Sequence, residues 1–250
     1  MEKKTCRHHL LLCFAIRFGL GVMAPLTAQA VQLPSGLDSS DKPAASDVAR
    51  DNPQTLAQKP DLYLELIAGM QQRGLYYASL AHLDAFDQRW PGQANAALLR
   101  ANALRETGQT EAAKAAYDSL LHGPLAARAY HGLGLIAVRS GHIDDGSTAL
   151  NRAAKLAPTD ATILGDQGYA FLLLGKLEQA RLSLFKAAEL DSSDKRIGAN
   201  LALLMALSGK PEQAQELMQR YDLAPGVRKD ILSRAAGARA EPKTTPEHPL

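Results

Sequence analysis

The chain has 250 residues, 46% hydrophobic and 22% charged, with a net charge of +2 when histidines are neutral. That composition suits one or two packed domains, is too apolar for disorder throughout, and contains no apolar run long enough to demand a membrane span. The near-neutral charge removes any bulk electrostatic case for nucleic acid or an anionic membrane, and 5% aromatics with a single Trp argue against a carbohydrate platform or an aromatic-rich β-sandwich.

The N-terminus reads as an export signal. Lys3, Lys4 and Arg7 precede an apolar run over 10–16 and 18–26, interrupted by Arg17, which closes on Ala28-Gln29-Ala30. Small residues at those two positions are what a signal peptidase accepts, so residues 1–30 are expected to be a secretory signal cleaved after Ala30, and the chain to be exported to the periplasm. An uncleaved membrane anchor is the alternative. Cleavage would remove Cys6 and Cys13, the only two cysteines, and leave no disulfide to support the fold. It would also remove four basic residues and Glu2, leaving 24 basic and 25 acidic residues and a net charge of −1. Cys13 follows Leu10-Leu11-Leu12 rather than a small residue, so it is a poor site for lipid attachment. Segment 31–59 is rich in Ser, Asp, Pro and Ala without a period and is expected to be a flexible leader.

The middle of the chain repeats. Gly74, Gly108, Gly141, Gly175 and Gly209 recur at spacings of 34, 33, 34 and 34, each followed within about five residues by a small residue such as Ala113, Ala180 or Ala214. Pro91 and Pro158 close two units at the same phase, where a proline stops one helix before the next begins. Within a unit the apolar spacing is helical. Leu164, Gly168 and Phe171 share one face, and after Gly175 a second face carries Leu177, Ala180, Leu184 and Ala187. The glycine sits where the first helix must end and reverse, and the small residue lets the second helix approach closely. The spacing predicts five helix pairs, over 60–93, 94–126, 127–160, 161–194 and 195–228. Residues 225–240 are expected to supply a short capping helix over the last apolar face, with 229–250 forming that cap and a frayed tail.

These residues resemble the tetratricopeptide-repeat family, built from helix pairs of about 34 residues. Tyr130, Leu133, Gly134, Gly141, Leu150, Ala153 and Pro158 follow its pattern in the third unit, and Leu164, Gly168, Phe171, Gly175, Ala180, Leu184 and Ala187 in the fourth. The fifth unit departs from it, with Gly198 and Ala202 in place of the usual Trp and Gly. The resemblance implies an all-α fold, a right-handed α-solenoid of antiparallel helix pairs whose concave groove holds a protein partner. The ligand-facing positions of the family map here onto Asp61, Leu64 and Ala68 in the first unit and Asn95 and Leu98 in the second. They continue through Asn102, Arg105, Arg128, His131 and Arg139, and then Tyr169, Leu172, Leu173, Leu203 and Leu207. The first of these two groups offers amide and guanidinium donors and the second an apolar strip, a groove suited to an amphipathic segment. The alternative reading buries the strip beneath the cap and leaves the arginines merely solvated. The family's two-carboxylate clamp does not carry over, because Leu98 and Gly132 stand where Lys and Asn are needed.

A narrower resemblance is to the TadD family of Flp-type (Tad) pilus assembly proteins, on Gly168-Tyr169-Ala170-Phe171-Leu172-Leu173-Leu174-Gly175 and on Asn200-Leu201-Ala202-Leu203 ahead of Gly209. It implies a periplasmic adaptor that helps the outer-membrane secretin assemble, associated with the outer membrane. Many members are lipoproteins, and this chain departs from them at the lipidation site. A general envelope scaffold for cell-wall or polysaccharide machinery is the alternative, and self-association through the terminal repeats is a second partner class the sequence allows. No enzymatic motif is present. The mature histidines lack zinc spacing, no cofactor or metal is expected, and Gly132-Leu133-Gly134-Leu135-Ile136-Ala137 matches a dinucleotide fingerprint only on paper, lying within a helix rather than after a strand.

Overall fold

The computed structural model describes residues 59–240; the expected signal, most of the leader and the tail after Ala240 lie outside them. The described residues form eleven helices and no strands. They run α1 Pro60–Gln72, α2 Tyr76–Arg89, α3 Ala94–Glu106, α4 Thr110–Asp118, α5 Ala126–Arg139, α6 Ile143–Leu156, α7 Ala161–Leu173, α8 Leu177–Leu190, α9 Lys195–Leu207, α10 Pro211–Arg220 and α11 Pro225–Ala240. The first ten pair as consecutive antiparallel hairpins, an α-solenoid, and α11 packs against α9.

The five spaced glycines all have positive φ, between 67° and 83°. Each ends a first helix in the same way. The glycine N–H donates three residues back, and the following N–H donates five residues back at 2.9 Å, as from Gln109 to the Leu104 carbonyl and from Lys176 to the Phe171 carbonyl. This Schellman closure satisfies the carbonyls a helix end would orphan, and its left-handed residue favours glycine. The same closure ends α10, where Asp222 takes the left-handed position with φ 46°. Aspartate is among the few side chains that tolerate it.

The starts of α7 and α9 are capped by side chains. Asp160 accepts from the Ile163 N–H and Asp194 from the Arg196 N–H. Burial works against ionising Asp194, but the Arg196 guanidinium and the backbone N–H groups hold its carboxyl below the ordinary carboxylate range. A depressed carboxyl contributes stability that is fully present above its unfolded pKa of about 4 and is lost as pH falls below that value through the lower folded-state pKa. Asp194→Ala is therefore expected to cost about 1 kcal/mol at pH 7. Thermal melts at pH 7 and pH 3 check this: the gap between variant and parent should narrow at the lower pH.

Packing is arranged as seams between neighbouring pairs. The first seam holds Leu64, Ile67, Leu83, Phe86 and Ala96, extended by Tyr63 stacked on Phe86 and by Trp90. The second gathers Leu98, Ala101, Ala113, Tyr117 and Ile136. A longer cluster runs from Ala153 through α7, α8, α9 and α10 to Ile231 and Ala235 of α11. Polar groups within the seams are paired. Gln71 donates to Ser79 Oγ and to the Leu99 carbonyl, both at 2.7 Å, tying α1, α2 and α3 together.

Neighbouring first helices pack on one another along the whole stack, α1 on α3, α3 on α5, α5 on α7 and α7 on α9. Successive second helices make no comparable contact. A stack whose first helices converge while its second helices splay must curve toward the first helices. The inner face is therefore lined by α1, α3, α5, α7 and α9.

Candidate partner groove

The inner face is crossed by side-chain links spaced by about one repeat. In the middle of the stack, Tyr117 at the end of α4 donates to Asn102 Oδ1 at 2.7 Å and accepts from Arg105 Nε at 3.3 Å. Arg105 also pairs with Glu106 at 2.8 Å, and Arg139, one unit on, reaches the Arg105 carbonyl and Glu106 at 3.4 and 3.6 Å. Burial raises the Tyr117 phenol above its ordinary pKa against the opposing pull of Arg105, so the neutral donor persists across the physiological range. Asn102 and Arg105 are therefore anchored side chains rather than free donors. Arg139 is exposed. Tyr117→Phe keeps the buried ring and deletes both hydrogen bonds. It is expected to cost about 1 kcal/mol and to broaden or shift the Arg105 Nε resonance in an NMR spectrum.

Further along, His131 Nε2 donates to Asp166 Oδ2 at 2.7 Å, joining α5 to α7. Asn200 Nδ2 donates to the Gly165 carbonyl at 3.4 Å, joining α9 to α7. At the last two pairs α11 packs on α9 and reaches back to α7. Arg234 of α11 donates to Tyr169 Oη of α7 at 2.9 Å, passing over the α9 position. Tyr169 and Leu207 are half-buried against the long cluster that includes Ile231 and Ala235.

The expected apolar strip thus needs correction. Leu172 and Leu203 are only 5% and 6% exposed, built into the long cluster, so they hold the fold and offer no contact surface. Helical position alone put them on the groove; packing into the long cluster of α7, α8, α9 and α10 buries them. Leu173 remains 40% exposed at the end of α7.

The open part of the inner face lies over the first three pairs. Leu64, Ala68, Leu98 and Leu99 floor a cleft of about 310 Å³ between α1, α3 and α5. Asp61, Glu65, Asn95 and Arg128 stand around its rim. Among the described residues none of these four side chains makes a hydrogen bond or ion pair, and all are exposed. Asp61 and Glu65 lie four residues apart on α1, one above the other, and make that rim acidic. Of the groove positions mapped from sequence, Asp61, Leu64, Ala68, Asn95, Leu98 and Arg128 all border this cleft. Glu65, Asp166 and Arg234 were missed; the repeat-length offset between His131 and Asp166 is the one signal that pointed to any of them. Among the described residues no three His, Cys, Asp or Glu side chains are gathered to hold a metal ion.

The sequence matches the family described as "Tetratricopeptide repeat" over residues 98–141 and 131–195. It is 34% identical over 222 residues to the TPR repeat-containing protein PA4299 of Pseudomonas aeruginosa, covering 89% of this chain and 83% of that protein. Among solved structures it is similar to TTC0263, a thermophilic TPR protein of Thermus thermophilus. That likeness has a TM-score of 0.59 at 21% identity, over 72% of this chain and 99% of that one. It is also similar to Pseudomonas aeruginosa pilF, with a TM-score of 0.59 at 18% identity, over 73% of this chain and 85% of that one. At those identities the two structural likenesses concern the fold alone.

Proposed function

The chain belongs to the tetratricopeptide-repeat family, a fold for protein–protein interaction, and we propose that it is a non-enzymatic scaffold holding a partner segment on the inner face of its first three pairs. The observation that carries this reading is the cleft over Leu64, Ala68, Leu98 and Leu99, an apolar floor with charges around it that nothing in the described chain neutralises. An apolar side chain entering the floor would place a flanking Lys or Arg against Asp61 and Glu65, and a carboxylate against Arg128. The segment sought is therefore apolar at its centre, basic toward α1 and acidic toward α5.

The setting we propose is the periplasm, reached through the N-terminal signal, with the chain assisting assembly or localisation of the Flp-type (Tad) pilus machinery and its outer-membrane secretin. The support is the N-terminal charge and apolar pattern ending at Ala30, together with the TadD-like residues of the fourth and fifth units. In-cell cross-linking of the tagged chain followed by fractionation and mass spectrometry tests this. The expected result is recovery from the periplasmic fraction joined to a pilus-assembly component. Recovery from the cytoplasm, or joined to a cell-wall or polysaccharide complex without any pilus component, would overturn the assignment.

A further inference from the structure

The outer face carries a second surface, centred on α8. Leu182 and Phe185 are 66% and 48% exposed there, three residues apart and so on one side of the helix. A cleft lies along each flank of α8. The one toward α6, about 330 Å³, is edged by Lys155 and Lys186. The one toward α10, about 460 Å³ and floored by Leu201 and Met205, is edged by Glu189 and Glu216. Among the described residues none of these four charges has a hydrogen-bond or ion-pair partner. The other charge bordering the α10 cleft, Arg220, lies over the Tyr221 ring at 5.9 Å.

An apolar ridge with lysines on one side and glutamates on the other is complementary to itself under one particular symmetry. A two-fold axis lying along α8 turns the lysine edge of one copy onto the glutamate edge of the other and brings the ridges together. An axis in the same plane but across α8 would set lysines against lysines. We propose that two copies of this chain associate through the outer face of α8, with the two α8 helices side by side and pointing the same way. Leu182 and Phe185 of each copy form the apolar centre, and two patches of opposite charge close the rim. Such an isologous contact requires every residue to meet its counterpart's complement, which this distribution of charge provides. It leaves the inner cleft free, so partner capture and pairing are separable.

The full chain in sedimentation equilibrium at low salt tests the pairing. Parent protein is expected as a dimer whose dissociation constant rises with salt, and Phe185→Glu is expected to raise that constant at least about tenfold while leaving the helical circular dichroism spectrum unchanged. The orientation is read from that salt dependence, because an axis across α8 would set like charges together and pairing would tighten with salt; charge exchange tests the rims. The double variant K155E/K186E and the double variant E189K/E216K should each be monomeric, and an equimolar mixture of the two should pair. Parent protein that is monomeric at every concentration overturns the proposal, whatever else the ridge binds. A dimer indifferent to Phe185→Glu overturns the surface, a dissociation constant that falls with salt overturns the orientation, and a mixture that stays monomeric overturns the charged rims.

Discussion

Gly132→Leu is expected to destabilise the chain by about 3 kcal/mol or more, a large share of the roughly 5–15 kcal/mol that holds a typical domain together. Gly132 sits in mid-helix, where glycine costs about 1 kcal/mol relative to alanine, so helix propensity favours almost any replacement. Packing reverses that preference. A Cβ at this position would run into the ring of Tyr117, which is fully buried and held in place by Asn102 and Arg105. The ring has no open space to retreat into, so the seam between the second and third pairs must open. In a stack where each unit touches only its neighbours, such a break divides the fold. Two melting transitions, or a single one lowered by roughly ten degrees, would register it in calorimetry. Gly237→Ala supplies the opposite sign. No atom lies within 4 Å of a Cβ there, and it stands within α11, so helix propensity acts alone and a gain of up to about 1 kcal/mol is expected.

Reversing the acidic rim is expected to have the second large effect. Asp61→Lys with Glu65→Lys should weaken partner capture roughly 30-fold, at about 1 kcal/mol for each exposed charge reversed. Both side chains are exposed and unpaired among the described residues, so the fold should be indifferent to the change. The loss should shrink at high salt, because rim charges act through screened fields. Asp118→Lys, on an exposed position of the outer helix α4, is the matched control and should leave capture unchanged. Binding isotherms at two salt concentrations separate the electrostatic part from the apolar part.

The turns were the most legible feature of the sequence. Five glycines at a fixed period mark five of the six left-handed helix ends, because glycine takes the conformation without strain. The close approaches were legible too. Gly134 faces Leu150, where a Cβ would lie 2.7 Å from Cγ, and Gly168 faces Leu184, so what resembled a dinucleotide fingerprint is helix packing. The groove was legible only in part. Position along a helix predicts which way a residue points, but not what lies in front of it. Arg128 stayed open, Asn102 and Arg105 were drawn into a network around Tyr117, and Leu172 and Leu203 were buried. The reach of Arg234 to Tyr169 spans 65 residues and depends on how α11 lies over α9. No spacing within one unit encodes that.

Photo-cross-linking from two single positions in the cell tests the central claim most directly. A photoreactive residue at Asn95, on the rim of the inner cleft, is expected to capture one discrete partner protein, and the same residue at Ala112, exposed on the outer helix α4, is expected to capture none of it. The captured partner should disappear when Asp61→Lys and Glu65→Lys are introduced alongside. Equal capture from both faces, or capture from Asn95 that survives the charge reversal, would contradict an inner-face groove over the first three pairs.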